Sequence, residues 1–381
     1  MYGSDPGALP LVLAHTEKIM SLFRTWQVRL LFPVLAMAAI DVSQACTRTL
    51  FVGGDHTVIT GRNMDWKEDM GSNMWVFPAG MKRDGAAGAR SLRWSSRYGS
   101  VGVASYEQGT GDGMNEKGLV ANLLYLNETD FGKPDGTKPL ISASIWLQYV
   151  LDNFATVAEA VEALRSEPFR IVPTVFHGAA STLHLSISDA SGDSAIFEYI
   201  GGKLKIHHGR QYQVMTNSPT YDEQLALNEY WKSIGGLVFL PGTNRAADRF
   251  ARASFLLDAL PKEINPHYIQ GVPGHSYSNQ AVASVMGLQR AVSVPLGITT
   301  PGQPNISSTI WRTVADQKNR IYYFDSATRP NTFWVDFAKL DFRQGAPARK
   351  LTLENGEIYA GEVSSYFKRA EPFRFLPPQA G

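Results

Sequence analysis

From residue 46 onward the chain alternates apolar and polar positions with a period of two along most of its length, and only two stretches switch to helical periodicity. Residues 47–52 and 58–63 are β-branched or apolar runs separated by Gly53-Gly-Asp55, the spacing of a hairpin, and Cys46 heads the first of them. The segment Gly61-Arg-Asn-Met-Asp-Trp66 breaks the alternation and reads as a loop. Further strand patterns fall at 75–78, 100–104, 118–125, 183–188, 195–200, 204–208 and 212–216. Three more fall at 309–315, 320–324 and 331–335, with a turn at 317–319 between the first two. The first helical stretch covers 142–153 and 157–165, with Thr156 and Glu159 at capping-box spacing; the second covers 221–231, 246–259 and 279–286. Strands, paired helices, strands, paired helices and strands again predict an α+β chain of two stacked sheets with helical layers on their outer faces.

Ahead of residue 46 the pattern is that of an export signal. Arg24 and Arg29 precede an apolar run over 30–40, and the small-residue site Ser43-Gln-Ala45 follows it. The apolar run is too short to span a bilayer. Met20 opens a peptide of ordinary signal length, which makes 1–19 an upstream extension or a misassigned start. Residues 1–45 are therefore expected to be removed. In 46–381 no repeat, low-complexity tract or Pro/Ser-rich linker marks a boundary, so a single domain is expected. With no Gram-positive cell-wall signal, the exported product is expected in a Gram-negative periplasm, without stable membrane insertion once the signal is gone. A lipoprotein signal is the rival, but it wants an apolar residue three before the cysteine, where this chain has Ser43.

Removing that segment would change the chemistry of the sole cysteine. An exported chain with one cysteine forms no internal disulfide, so the thiol is free for other work. As a first residue, Cys46 would carry a nucleophile and a free α-amine together. An amine of pKa ~7.7 to 8 can take the proton of a thiol of pKa ~8.5 without any histidine.

Composition narrows the partners. Lys plus Arg is 36 against Asp plus Glu at 35, which gives no electrostatic reason for nucleic-acid or anionic-membrane binding. None of the eight histidines stands at a metal-ligand spacing, so no metal or other cofactor is expected. His207 and His208 alternate across a strand and read as surface residues.

Three segments bear candidate chemistry. In the first, Arg62 and Asp65 sit where the returning strand of the opening hairpin comes back beside residue 46. Asp65 is then expected to accept a hydrogen bond from the Cys46 α-amine, and Arg62 to favour the thiolate. The others are Val214-Met-Thr-Asn-Ser-Pro219, with Asn217, and Asp248-Arg-Phe-Ala-Arg252, with Arg249. Trp66, Met70, Met74, Trp75 and Phe77 offer apolar and aromatic walls for an acyl group. Each also has a plain reading: a surface ion pair, an Asx turn into Ser218-Pro219, an exposed helix charge, core packing.

Taken together these residues resemble the choloylglycine hydrolases, the N-terminal nucleophile hydrolases that include bile salt hydrolases and penicillin V acylases. The likeness runs through Cys46-Thr47, Gly61 to Trp66, Met114-Asn-Glu-Lys-Gly-Leu119, Thr216-Asn-Ser-Pro-Thr220, Leu240-Pro-Gly242 before Arg249-Phe, and Ile321-Tyr-Tyr323. The resemblance implies a four-layer αββα sandwich of two mainly antiparallel sheets and an amide hydrolase working through a thioester acyl-enzyme. Cys46 matches the nucleophile, Arg62 and Asp65 the pair beside it, and Arg249 the second arginine. Asn217 matches the side-chain donor of the oxyanion hole, and Tyr125 falls where a backbone N–H completes it. Bile salt hydrolases typically carry Asn at that last position and penicillin V acylases Tyr, so aromatic or long-chain acyl amides, including penicillin V and N-acyl homoserine lactones, rank ahead of bile salts. The family is commonly homotetrameric. A papain-type peptidase is disfavoured by the absence of a C-G-x-C-W setting. A periplasmic binding protein or lipid-anchored module with an inert cysteine is the non-enzymatic alternative.

Overall fold

A computed structural model describes residues 46–176, 178–299 and 307–378, without the side chain of Ala179. The predicted export segment 1–45 and its cleavage site lie outside the described residues. The opening hairpin pairs β1 (Cys46–Val52) with β2 (Val58–Trp66), placing Cys46 opposite Met64 and Arg48 opposite Arg62. Because a strand shows successive side chains to opposite faces, β1 serves two layers. Arg48 points between the sheets, donating to the Ile187 carbonyl and Ser194 Oγ. Thr47 and Thr49 point outward and accept hydrogen bonds from Arg249 and Gln289 on helices.

The remaining principal strands follow in chain order: β3 (Met74–Phe77), β4 (Ser100–Ser105), β5 (Gly109–Asn115), β6 (Val120–Tyr125), β7 (Leu183–Ser188), β8 (Ser194–Ile200), β9 (Lys203–His208) and β10 (Val214–Met215). They continue with β11 (Ser308–Asp316), β12 (Ile321–Ser326), β13 (Thr332–Asp336), β14 (Arg349–Leu351), β15 (Gly361–Glu362) and β16 (Lys368–Arg369). One sheet has seven strands in the order β10-β1-β2-β11-β12-β13-β15, the other nine in the order β9-β8-β7-β6-β5-β4-β3-β14-β16. Every pairing within them is antiparallel except β13 with β15.

Helices α1 (Trp146–Asn153) and α2 (Val157–Arg165) cover the nine-stranded sheet. Helices α4 (Ala246–Ala259) and α5 (Tyr277–Ala291) cover the seven-stranded one, and α3 (Tyr221–Ile234) packs on α4. This is the expected α+β sandwich. The α2 cap forms as predicted, with Thr156 Oγ1 accepting from the Glu159 N–H. Gly61 admits α5 to the sheet, because a Cβ there would lie 2.6 Å from Gln289 Nε2.

One expectation is corrected, and one strand was not expected. Residues 61–66 are not a loop; β2 runs through Trp66 and pairs with β11 from Ser308 to Asp316, so long-range pairing overrides the broken alternation. The sequence Gly109-Thr-Gly-Asp-Gly-Met-Asn115 carries no strand signal, yet it is the buried β5. Its glycines answer to crowding: a Cβ on Gly113 would meet the Val101 carbonyl at 2.6 Å and Leu151 Cδ1 at 2.9 Å.

The space between the sheets is partly polar. Gln317, just past β11, donates through Nε2 to the Gly118 and Ser188 carbonyls, both at 2.9 Å, and accepts from Thr60 Oγ1 at 2.7 Å. It is fully buried and joins the two sheets. Replacing it with leucine takes the Nε2 donor from two carbonyls, while Thr60 Oγ1 keeps Ser188 Oγ at 2.8 Å. At roughly 1 kcal/mol each, Gln317→Leu should lower unfolding free energy by about 2 kcal/mol. Urea unfolding measures this, and a loss well under about 1 kcal/mol would mean the bridge contributes nothing net.

Candidate active site

Cys46 opens β1 at the edge where the seven-stranded sheet meets β10, and its backbone is held from both sides. Its N–H donates to Asn217 Oδ1 at 2.5 Å. Arg249, buried on α4, donates through Nη1 to the Cys46 carbonyl and to Thr47 Oγ1, both at 2.5 Å, and through Nη2 to Asn217 Oδ1 at 2.9 Å. Two donors on one atom fix that atom as the amide oxygen. Asn217 Nδ2 faces the Tyr125 carbonyl at 2.7 Å. An amide nitrogen has two hydrogens, so one is held by Tyr125 and the other is left for a further acceptor.

Arg62 approaches from beneath. Its Nη2 lies 3.8 Å from Cys46 Sγ and donates to the Leu123 carbonyl at 2.8 Å, while its guanidinium lies 4.8 Å from the centre of the Trp311 ring. Its Nε stands 3.9 Å from Asp112 Oδ2. Asp112 in turn accepts from Asn122, Thr313 and Tyr322. Arg62 Nε and Nη1 are buried without a hydrogen-bond partner among the described residues.

Asp65 accepts from Thr309 Oγ1 at 2.5 Å through Oδ1, and its main-chain carbonyl lies 3.7 Å from the Cys46 thiol, which donates to it. Its Oδ2 is buried without a partner. In the uncut chain the single Cys46 N–H goes to Asn217 and not to Asp65. Burial pushes the Asp65 carboxyl up to about 6, against the opposing pull of Arg249, the Thr309 hydroxyl and Arg62. Burial also pushes the Cys46 thiol up, more than Arg62 and Arg249 bring it down. In the uncut chain desolvation thus outweighs the neighbouring positive charge at the thiol.

The thiol faces a cavity of about 80 Å³. Strands β5 and β6 pair as far as Asp112 opposite Asn122 and no further. The cavity lies between the ends they leave apart, with Gly109 to Gly111 on one lip and Leu123 and Tyr125 on the other. Leu126 N–H bonds to the Thr182 carbonyl, so antiparallel alternation turns the Tyr125 N–H away from β7 and toward this gap. Trp66, Met70, Tyr106 and Phe176 supply the apolar walls, Trp66 Nε1 donating to Tyr106 Oη at 2.7 Å. Of the five predicted wall residues only Trp66 and Met70 are there. Alternation along β3 explains the rest: Met74 faces the filled core, and Trp75 and Phe77 stack on each other and meet Phe373 edge-on on the opposite face. A larger cavity of about 280 Å³ shares Trp66 but excludes Cys46.

Sequence reasoning missed Thr47, Asp112, Thr309 and Trp311. Asp112 sits in the glycine-rich β5, and Thr309 is 244 residues from the carboxylate it binds. Neither position carries a local signal. Among the described residues no group of three or more His, Cys, Asp or Glu could hold a metal ion, and no helix is long and apolar enough to cross a membrane.

Comparison with known proteins places this geometry among amide hydrolases. Residues 46–348 match the linear amide C–N hydrolases of the choloylglycine hydrolase family. The chain is 49% identical over 354 residues to a penicillin V acylase of Pectobacterium atrosepticum, covering 88% of this chain and 93% of that protein. It is 31% identical over 243 residues to a bile salt hydrolase/transferase of Clostridium perfringens, covering 57% and 73%. The solved penicillin V acylase from Agrobacterium tumefaciens superposes with a TM-score of 0.78 at 55% identity, over 87% of this chain and all of that one. A mutant conjugated bile acid hydrolase from Clostridium perfringens shares the fold at a TM-score of 0.67 and 23% identity, over 83% and 98%.

The burial of Asp65 has a measurable consequence in the chain whose Cys46 is still joined to residue 45. Its carboxyl rises from ~3.9 unfolded to about 6 folded. A raised folded pKa contributes stability that is complete below about pH 4 and is lost as pH rises through about 6. Asp65→Asn keeps an acceptor for Thr309 and removes the buried charge. It should raise stability at neutral pH by about 3 kcal/mol and flatten the stability profile across this window. Urea unfolding of both proteins along the pH series tests it, and parallel profiles would overturn it.

Proposed function

Since the chain belongs to the choloylglycine hydrolase family of linear amide C–N hydrolases, we propose that it works as an N-terminal cysteine amidohydrolase, with Cys46 as first residue and its own α-amine as base. It is a hydrolase of amides other than peptide bonds. The observation that supports the proposed roles best is the double hold on Cys46: Asn217 and Arg249 grip its backbone while Sγ opens onto the apolar cavity.

Freed of residue 45, the nitrogen of Cys46 would remain beside Asn217 Oδ1 and take the thiol proton. Sulfur then attacks the amide carbon, and the charge developing on oxygen meets the free N–H of Asn217 and the N–H of Tyr125. One such donor can be worth ~2.7 to 4 kcal/mol in the transition state. The proton passes to the leaving amine as the C–N bond breaks. Water, giving a proton back to the α-amine, then cleaves the thioester and releases the acid. Arg62 and Arg249 keep positive charge beside the sulfur, and the unpartnered Asp65 Oδ2 is an acceptor available to balance it.

The acyl group we favour is aromatic. Trp66, Tyr106 and Phe176 line the cavity beside Cys46, and their rings suit a flat aromatic acyl group. Penicillin V, a phenoxyacetyl amide, is therefore placed ahead of acyl homoserine lactones and conjugated bile salts. We further propose export to the periplasm with loss of residues 1–45. Self-association, as a homotetramer by the resemblance, is supported by the apolar tip between α3 and α4, where Leu237 is 95% and Val238 81% exposed.

Adding a single residue ahead of a mature Cys46 should abolish turnover of penicillin V, because the base becomes an amide. Cys46→Ser should retain binding and lose nearly all turnover. Activity of the extended protein would place the base elsewhere. A panel of penicillin V, a long-chain acyl homoserine lactone and glycocholate should rank penicillin V first by kcat/KM, and glycocholate in first place would overturn the substrate assignment.

A further inference from the structure

A buried histidine that the mechanism above does not use stands behind Asn217. His184 on β7 and Glu198 on β8 are both shut off from solvent. His184 Nε2 lies 2.9 Å from the Thr216 carbonyl, and Nδ1 lies 3.0 Å from Glu198 Oε1. Both partners, a carbonyl and a carboxylate, can only accept, whereas a neutral imidazole has a single N–H to give. With one proton, one of these contacts would set lone pair against lone pair in a site without exposure to water. Both become hydrogen bonds only when the pair holds a second proton, on Nδ1 or shared with Oε1, and the pair is then neutral as a whole.

The same carboxylate also accepts from the Tyr221 N–H, at 3.2 Å through Oε1 and 3.1 Å through Oε2. Thr216 and Tyr221 are the two ends of the turn that carries Asn217. The His184–Glu198 pair thus pins one end by its carbonyl and the other by its N–H, while Gln224 ties the middle by donating to the Asn217 and Ser218 carbonyls at 3.0 and 3.1 Å. We propose that His184 and Glu198 form a two-proton clamp that positions Asn217 against the reacting carbonyl, a role that rests on the function proposed above. His184 is a positioning residue, since it reaches the site only through Thr216.

The ionisable groups that act on the clamp's carboxylate are His207 on β9, with Nε2 4.0 Å from Glu198 Oε2, Lys205 on β9 and Tyr221 on α3.

Nitrogen NMR of histidine-labelled mature protein tests the clamp without substrate, the His184 signals being assigned by their loss in His184→Gln. Both ring nitrogens of His184 should be protonated in the wild type. In Glu198→Gln the new amide can donate to Nδ1 and still accept from Tyr221, so His184 should become neutral with its proton on Nε2. His184→Gln should lower kcat about tenfold to a hundredfold with KM changed much less, the signature of a misplaced transition-state donor. A wild-type His184 with bare Nδ1, or His184→Gln at wild-type kcat, overturns the clamp. If His184→Gln does not fold, the wild-type signals, assigned from the Glu198→Gln shift, decide. Inactivity of the wild type on every amide would sink the proposed function and leave the NMR result standing.

Discussion

A strand must divide its side chains between two faces, and the site depends on how β1 makes that division. Its inward positions carry Cys46 and Arg48 into the space between the sheets, and its outward positions offer Thr47 and Thr49 to α4 and α5. The helix layer and the opposing sheet therefore both grip the same few residues. A shift of one residue in this strand would exchange the two sets completely. The seven pairings of β1 with β2 and the seating of α5 on Gly61 hold the register.

Burying so much charge is costly, and the arrangement shows how the cost is spread. Arg48, Arg62 and Arg249 are all withdrawn from solvent. Arg48 answers only to carbonyls and a hydroxyl, and burial lowers it to about 10. Arg62 reaches Asp112 only at 3.9 Å, and Arg249 bonds to oxygens of Cys46, Thr47, Asn217 and Asn244 rather than to a carboxylate. Well-paired buried cations would be content with one another's counterions. Here Arg62 Nε and Nη1 and Asp65 Oδ2 are without hydrogen-bond partners among the described residues.

Much of this was legible in the chain. The opening hairpin, the two helical blocks and the strands after residue 183 follow from periodicity, and Cys46, Arg62, Asp65, Asn217, Arg249 and Tyr125 do converge. What escaped depends on partners far away in sequence. β5 carries no strand pattern because its glycines answer to close packing, as Gly113 does to Val101 and Leu151, not to strand propensity. Asp112 and Thr309 have no local pattern, and Trp75 and Phe77 misled because aromatic residues near a site count only when alternation points them at it. His184 was invisible for the same reason: its meaning lies in two acceptors, one from a neighbouring strand and one from a turn 32 residues on.

Asn217 already receives the Cys46 N–H while residue 45 is still attached. The pocket, the flanking arginines and the carbonyl grip of Arg249 are likewise in place around an ordinary peptide nitrogen. On the proposed mechanism, the uncut chain is a finished enzyme held latent by one covalent bond. On that mechanism, what the cut adds to these residues is the free amine, a base that a peptide nitrogen cannot be.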